Sequence, residues 1–384
     1  MIGMTNDTPA AVSTLTLDEL PYAHGGPTAT GIIRTIPDDF RVDEELRFAP
    51  EGAGEHWLLR VTKRGANTAW VARRLAQVAG MRPVDVGYAG LKDRHAVTTQ
   101  WFSVRVPGKV EPDWSVLAAE GVEVWEAHRH RRKLPRGALK ANRFTLRVRG
   151  ITGERAMLET RLQQVAHAGV PNYFGPQRFG RGGNNLAQAT ALLADAVPGT
   201  ASNTATEKCI TRDSQQRGMY LSAARSHLFN KVLAARVTAG TWDQALAGDA
   251  MSLDGSRSVF RCLVPDAEIA RRLAEGDIHP TGPLWGIGER MVEGVTAALE
   301  ETILTPWRSF CAALEAKEVT AERRALRLWP RDLTWHWEEV RELDTIREDL
   351  VLRFALPPGA YATIVLREVL AVIDAEGGET SEED

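Results

Sequence analysis

Residues 143–149 alternate strictly between two kinds of side chain. Phe144, Leu146 and Val148 are apolar, and the residues that alternate with them are Arg or Thr. Because successive side chains of a β-strand point to opposite faces of a sheet, this alternation predicts a strand with one apolar and one basic face. Residues 101–106 and 351–356 also have strand-like patterns. We therefore expect a sheet in the core.

Helices are predicted between these strands. Asn67 can cap a helix in which Val71, Leu75 and Val78 fall on one face, and Gly80 lies just beyond its end. Further helical patterns cover residues 158–169, 186–197 and 221–237. The composition changes at Pro171, after which glycine, aromatic and amide residues become frequent. We expect the chain to enter a second domain there.

The overall composition is that of a globular protein. The chain has 384 residues, of which 43% are hydrophobic and 25% charged, so it is long enough for one large domain or two of ordinary size. Its net charge is −3. The whole chain therefore lacks the positive charge that indicates a nucleic-acid partner, and any RNA binding must come from a local basic surface.

Cysteine spacing and terminal composition indicate a soluble cytoplasmic protein. Cys209, Cys262 and Cys311 lie far apart and form no Cys-x-x-Cys pair, so we expect inert thiols in a reducing compartment. No apolar run approaches the length of a membrane span, and the polar N-terminus does not resemble a secretory signal. The first twenty or so residues and the acidic tail 376–384 are predicted to be loosely held.

A glycine-bounded loop at residues 90–94 carries a concentrated group of charges. It follows a short strand that ends near Tyr88, and Asp93 stands in it between Lys92 and Arg94. Nearby cations would keep the aspartate ionised and available as a nucleophile or base. The alternative is an ordinary surface loop whose charges are simply solvated.

The segment 129–149 is the strongest candidate for a phosphate-binding surface. It contains nine Lys or Arg residues and no Asp or Glu. It leads into Asn142, whose amide can bond the edge of a uracil, and Phe144, whose ring can stack on a base. Two alternatives stay open: the charges can form a solvated face, and Phe144 can be part of the core.

The segment 172–185 is rich in glycine, aromatic and amide residues and includes Arg178. Its composition fits either an RNA contact or a structural loop. Elsewhere the sequence has no metal-ligand spacing, no Gly-x-Ser-x-Gly elbow and no Walker lysine. No cofactor or metal is therefore predicted.

Residues 88–103, Tyr-Ala-Gly-Leu-Lys-Asp-Arg-His-Ala-Val-Thr-Thr-Gln-Trp-Phe-Ser, resemble the signature of the TruD family of tRNA pseudouridine synthases. The resemblance extends over roughly residues 30 to 370. It is carried further by Asp39 to Glu44, Lys63 with Asn67-Thr68, Asn142 with Phe144, and residues 170–183, 219–230, 279–286 and 357–368.

The resemblance implies isomerisation of uridine to pseudouridine in tRNA, at position 13. It implies Asp93 as the nucleophile and Phe40, Asn142 and Tyr361 as substrate contacts. The family commonly has Phe where this chain has Tyr361, and Ser where it has Ala360. Tyrosine keeps the aromatic ring, so we expect stacking to survive there.

The family fold is implied as well. It is α+β: a pseudouridine-synthase catalytic domain on a mixed, mostly antiparallel sheet, with an inserted α/β TRUD domain. We expect the catalytic domain at residues 21–169 and 330–374, the insertion at 170–329, and a monomer that binds tRNA. Further RNA contacts are predicted at Lys92, Arg94, Arg132, Lys133, Lys140, Phe144 and Arg178. The alternative function is an RNA-binding or RNA-chaperone protein without catalysis.

Overall fold

The computed structural model describes residues 17–108, 111–194, 214–342 and 345–375. They divide into two compact units. The sheet unit comprises Pro27–His167 and the residues from Trp329 onward. The inserted unit comprises Ala168–Leu328 together with the described residues up to Gly26.

Residues 21–26 were assigned to the catalytic domain from the sequence, but they cluster with the inserted unit. The side chain of His24 bonds the carbonyl oxygen of Gly169 at 2.8 Å. The hydroxyl of Tyr173 donates to the carbonyl oxygen of Pro21 at 3.3 Å. These long-range bonds could not be read from local patterns.

The elements alternate between strands and helices along the chain. The strands and helices up to Ala168 are β1 (Ala29–Ile33), β2 (Phe40–Leu46), β3 (His56–Arg64), α1 (Thr68–Val78), β4 (Val86–Tyr88), β5 (Val97–Arg105), β6 (Val122–His130), β7 (Leu139–Gly153) and α2 (Arg155–Ala168). The insertion then supplies β8 (Val170–Pro171), α3 (Pro176–Phe179), α4 (Asn184–Ala194), α5 (Ser214–Thr238), β9 (Asp249–Leu253), β10 (Val259–Cys262), α6 (Ala267–Ala274), β11 (Ile278–Leu284), α7 (Gly294–Leu304), α8 (Arg308–Ala316), β12 (Glu322–Ala325) and β13 (Arg327–Leu328). The chain ends its described part with β14 (Arg331–Glu342), β15 (Thr345–Leu356), α9 (Ala362–Val369) and β16 (Ala371–Asp374).

One large sheet organises the sheet unit. Its strand order is β14-β15-β7-β2-β5-β3-β6, with β1 pairing both β7 and β16, and β4 pairing β5. The β2–β5 and β1–β16 pairs are parallel, and the other neighbours are antiparallel. The predicted mixed, mostly antiparallel sheet is therefore confirmed.

Helix α1 forms as the sequence predicts. The Asn67 side chain accepts hydrogen bonds from the backbone N–H groups of Ala69 and Trp70, which satisfies donors that the first turn leaves free. Val71 and Leu75 are fully buried and belong to a core cluster with Phe102 of β5. Burying each such side chain stabilises the fold by about 1.5–3 kcal/mol.

The inserted unit has its own core and its own sheet, of order β10-β9-β11-β12. Leu192 of α4, Leu228 of α5 and Leu314 of α8 belong to one buried cluster. Strands β8 and β13, which lie where the chain enters and leaves the unit, pair with each other, Val170 beside Leu328. The two ends of the insertion are therefore neighbours.

Several local expectations differ in extent. Residues 172–185 were expected to form a loop, yet α3 and the start of α4 lie within them.

Cys262 and Cys311 are free and buried, and burial raises the pKa of the Cys311 thiol to about 12, so it stays protonated. Within the described ranges, no helix is both long and apolar enough to cross a membrane. Cys209, residues 195–197, the first sixteen residues and the acidic tail lie outside the described residues.

Candidate active site

Asp93 lies on the loop between β4 and β5, and its carboxylate is open to solvent, with 60% of the side chain exposed. Nη2 of Arg34 donates to its Oδ2 at 3.0 Å. Only 14% of the Arg34 side chain is exposed. The carboxylate is thus held from one side by a nearly buried guanidinium and is accessible from the other.

Arg34 joins three parts of the sheet unit at this point. Its guanidinium carbon lies 4.1 Å from the centroid of the Phe40 ring, and another guanidinium nitrogen bonds the carboxylate of Asp374 in β16. The residue has a φ of 57°, a left-handed conformation that is uncommon outside glycine. The contacts of the Arg34 side chain therefore offset the unfavourable backbone conformation of this residue.

The main chain of the Asp93 loop is anchored to α1. The hydroxyl of Thr68, the first residue of α1, accepts a hydrogen bond from the backbone N–H of Lys92 at 3.0 Å. The same hydroxyl donates to Oε1 of Gln100 at 3.0 Å, and Gln100 Nε2 lies 3.5 Å from the carbonyl oxygen of Gly90. All of these anchors belong to regular elements, so the loop is presented by a rigid support.

Gly87 in β4 and Gly90 in the loop that follows it have different roles. A Cβ on Gly87 would lie 2.7 Å from the carbonyl oxygen of Leu134 and from the hydroxyl of Ser103. A Cβ on Gly90 would meet only the end of the Lys92 side chain, at 3.9 Å. Close approach of the backbone therefore requires glycine at Gly87, whereas Gly90 has room for a side chain.

Three charged side chains are buried beneath the loop. Lys63 is fully buried, and its Nζ donates to the carbonyl oxygen of Asp93 at 2.8 Å. Glu44 forms an ion pair with Lys92 and accepts a hydrogen bond from the backbone N–H of Trp101 at 2.9 Å. Burial raises the pKa of Glu44, although Lys92 opposes that shift. Burial lowers the pKa of Lys63 to about 8.

Strand register brings Asn142 to the same face of the sheet as these charges. Asn142 in β7 lies directly opposite Glu44 in β2 and opposite Leu356 in β15. It is buried, and its Oδ1 has no hydrogen-bond partner among the described residues. A buried acceptor without a partner is unusual in a native core, so it is a candidate for bonding a ligand.

Phe40 and Phe144 pack against each other on this face. Their ring centroids are 6.1 Å apart in an edge arrangement, and Phe144 stacks on Phe354 at 5.5 Å. Phe144 is thus enclosed by two rings, which favours the core interpretation that the sequence left open. Phe40 is also buried, and Arg34 covers one face of its ring.

Tyr361 immediately precedes α9 and is half-buried. It follows the turn at Pro357–Gly359, in which Gly359 has a φ of 82°. Because Leu356 pairs with Asn142, this turn leaves β15 at the Asn142 end of the pairing. Register therefore brings the segment before Tyr361 to Asn142, although the two lie more than 200 residues apart in the sequence.

The remaining predicted RNA contacts fall into three groups. Arg94 and Arg132 are exposed, and no side-chain partner is seen for either within the described part of the chain. Lys92 does not fit a phosphate contact, because its ammonium is nearly buried against Glu44. The others already make protein contacts: Lys133 with the carbonyl oxygen of Val84, Lys140 with Glu45, and Arg178 with Ser222 and the ring of Phe174.

Much of the basic segment 129–149 also has structural partners. Arg149 makes two hydrogen bonds to the buried carboxylate of Asp39, and Arg147 pairs with Asp349 and Glu338. Arg129 lies over the ring of Trp57 at 4.2 Å. The count of basic residues therefore overstates the surface available for phosphates.

Sequence reasoning assigned no site role to Arg34, Glu44, Lys63 or Thr68. Glu44, Lys63 and Thr68 stood in segments that carried the family resemblance, which was the available signal. Arg34 had none, because its distance from Asp93 in the sequence hides their ion pair.

Within the described residues, no group of three or more His, Cys, Asp or Glu side chains is arranged to hold a metal ion.

A family model described as tRNA pseudouridine synthase D (TruD) matches residues 16–202 and 199–369. The chain belongs to this family. A tRNA pseudouridine synthase D of Methylococcus capsulatus is 49% identical over 360 residues, which cover 94% of this chain and 96% of the relative. One from Xanthomonas axonopodis pv. citri is 50% identical and covers 93% and 95%.

Solved structures give the same fold. A crystal structure from Methanosarcina mazei, named for tRNA pseudouridine synthase D (TruD), superposes with a TM-score of 0.68. It is 23% identical, and the match covers 91% of this chain and 95% of the other. The α+β fold with a large mixed sheet is thus the TruD fold.

Proposed function

We propose that this chain is an isomerase that converts uridine to pseudouridine in tRNA, at position 13, with Asp93 as its nucleophile. Membership of the TruD family supports the reaction. The observation that carries the residue assignment is the exposed Asp93 carboxylate, fixed by Arg34 on its side chain and by Lys63 on its carbonyl oxygen.

The chemistry requires a carboxylate at a fixed place. The bond from C1′ to N1 of uracil breaks, a bond from C1′ to C5 forms, N1 gains a proton and C5 loses one. No electrons are gained or lost overall, so the reaction needs no redox partner. Attack on C1′, removal of a sugar proton and addition to C6 each place the Asp93 carboxylate beside the nucleoside.

The substrate base must leave its stack to reach Asp93. We assign Asn142 to the uracil edge, because its buried Oδ1 can accept from a base N–H. Phe40 and Tyr361 are the aromatic residues proposed to line the base, and Arg94 and Arg132 are proposed to meet phosphates. In this proposal the sheet unit is the catalytic domain of a monomer that acts on tRNA in the cytoplasm.

Release of tritium from tRNA that contains 5-³H-uridine tests the function directly, since C5 loses its hydrogen. We expect the protein to release tritium and Asp93→Asn to abolish release while gel shifts still show tRNA binding. Asp332→Asn is the matched control, because Asp332 is 70% exposed and has a φ of 55°, which asparagine tolerates.

Full activity of Asp93→Asn would refute the assignment of the nucleophile. Gel shifts without tritium release by the unmodified protein would refute the isomerase. They would instead establish the non-catalytic RNA-binding alternative.

A further inference from the structure

Lys63, Glu44 and Lys92 form a buried charge cluster under the Asp93 loop. Lys63 lies on β3 and Glu44 on β2, and the two strands flank β5 in the sheet. The Glu44 side chain has no exposed surface, and only 10% of the Lys92 side chain is exposed. Three buried charges are costly for a fold, and a well-packed apolar cluster of similar volume would usually be at least as stable.

We propose that Lys63 is a positioning residue for the isomerisation and that its ammonium group fixes the main chain of Asp93. The proposal rests on the proposed function, because it concerns the same carboxylate. Lys63 does not touch the substrate in this assignment.

The geometry separates two attachments of Asp93. Arg34 reaches the carboxylate, where Nη2 lies 3.0 Å from Oδ2. Lys63 reaches the backbone, where Nζ lies 2.8 Å from the carbonyl oxygen. The side chain and the main chain of Asp93 are thus each bonded to a cation that is buried or nearly so. A displacement of about 1 Å can lower a rate by about 100-fold, so the backbone attachment matters for turnover.

The charge of Lys63 depends on a group on β2 and on two groups of the loop. Asp93 on the loop and Glu44 on β2 raise its pKa, and Lys92 on the loop lowers it. Burial is the largest effect and brings this pKa to about 8. The ammonium is therefore present below pH 8 and is lost above it. Neutral Lys63 still has N–H groups, but its bond to the carbonyl oxygen loses the assistance of the charge.

The test is a pH profile of single-turnover tritium release with saturating protein. We expect the rate to fall as the pH rises through about 8. Lys63→Met should lower the rate at pH 7 by roughly 100-fold, leave tRNA binding within about 3-fold, and lack the fall near pH 8. Lys317→Met is the control, because Lys317 directly follows α8 in the inserted unit, and its substitution should leave the profile unchanged.

Glu44→Gln provides a second measurement if Lys63→Met does not fold. Removing the Glu44 charge takes away an interaction that raises the pKa of Lys63, so the fall in rate should move to lower pH. A normal rate for folded Lys63→Met, or an unmoved fall in Glu44→Gln, would overturn the proposal. Failure of the proposed function is distinct, because the unmodified protein would then release no tritium at any pH.

Discussion

Asn142 has a cost that the folded chain alone does not explain. Its side chain lies between Glu44 and Leu356 in the sheet, and its Oδ1 is buried without a partner among the described residues. Leaving a buried acceptor unsatisfied costs about 1–3 kcal/mol. Such a cost is expected where a side chain is kept for a ligand rather than for stability.

Asn142→Leu tests this interpretation at a single residue. The substitution removes the unsatisfied amide and adds apolar surface beside Leu356, so the melting temperature should stay the same or rise. Tritium release should fall by at least about 10-fold, because the bond to the base proposed for Asn142 cannot form. Calorimetry and the release assay measure the two effects. A large loss of stability with normal activity would show that Asn142 is structural.

Individual residues also show how far sequence reasoning reaches. Asp93 was proposed from its charged neighbours, which left an ordinary surface loop as the alternative, and from the family resemblance. Lys92 was assigned to RNA, although its ammonium turns inward to Glu44. Local patterns show that a residue is charged, but its partner comes from a strand elsewhere in the sheet. The same limit hid Arg34 and Lys63.

At the scale of one element, α1 serves both the fold and the site. Asn67 caps the helix, and Thr68 accepts the N–H of Lys92 while donating to Gln100. Asn67 therefore contributes to the stability of the helix, whereas the adjacent Thr68 holds the loop in position.

Two substitutions in this cap make the separation measurable. Asn67→Ala should cost about 1 kcal/mol of unfolding free energy and leave the rate at 25 °C unchanged. Thr68→Val removes the hydroxyl that holds the loop and should cost about 1–3 kcal/mol. It should also lower tritium release by about 10-fold, since the loop carries Asp93. Denaturant titrations and single-turnover rates check both, and equal rates for the two variants would contradict the role of Thr68.

Elements with a regular local pattern were predicted correctly from the sequence. The alternation at Phe144, Leu146 and Val148 lies within β7, and the α1 pattern begins at its cap. The pairing of the strands was not predictable in this way, because β2 and β5 run parallel with Arg41 beside Val97. Only the assembled sheet selects that register, and the register creates the site.

For the whole molecule, the organisation follows from how the chain leaves and re-enters the sheet unit. The indole N–H of Trp329 donates to the carbonyl oxygen of Ala166 at 3.0 Å. The place where the chain leaves the sheet unit therefore lies beside the place where it re-enters. Strand β1 pairs with both β7 and the late strand β16. Contacts within the sheet unit thus join its early strands to its late strands.

We therefore expect the sheet unit to fold without the insertion. A variant that starts at Pro27 and joins His167 to Trp329 through about four Gly and Ser residues should unfold cooperatively, because each end already lies beside the other. Removing α2 as well is the matched control. It takes away the buried Leu158, Leu162 and Val165, worth about 1.5–3 kcal/mol each, and should prevent folding. Thermal unfolding followed by circular dichroism distinguishes the two variants. A first variant without a cooperative transition would mean that the insertion is part of the folding unit, and the proposed domain division would then be wrong.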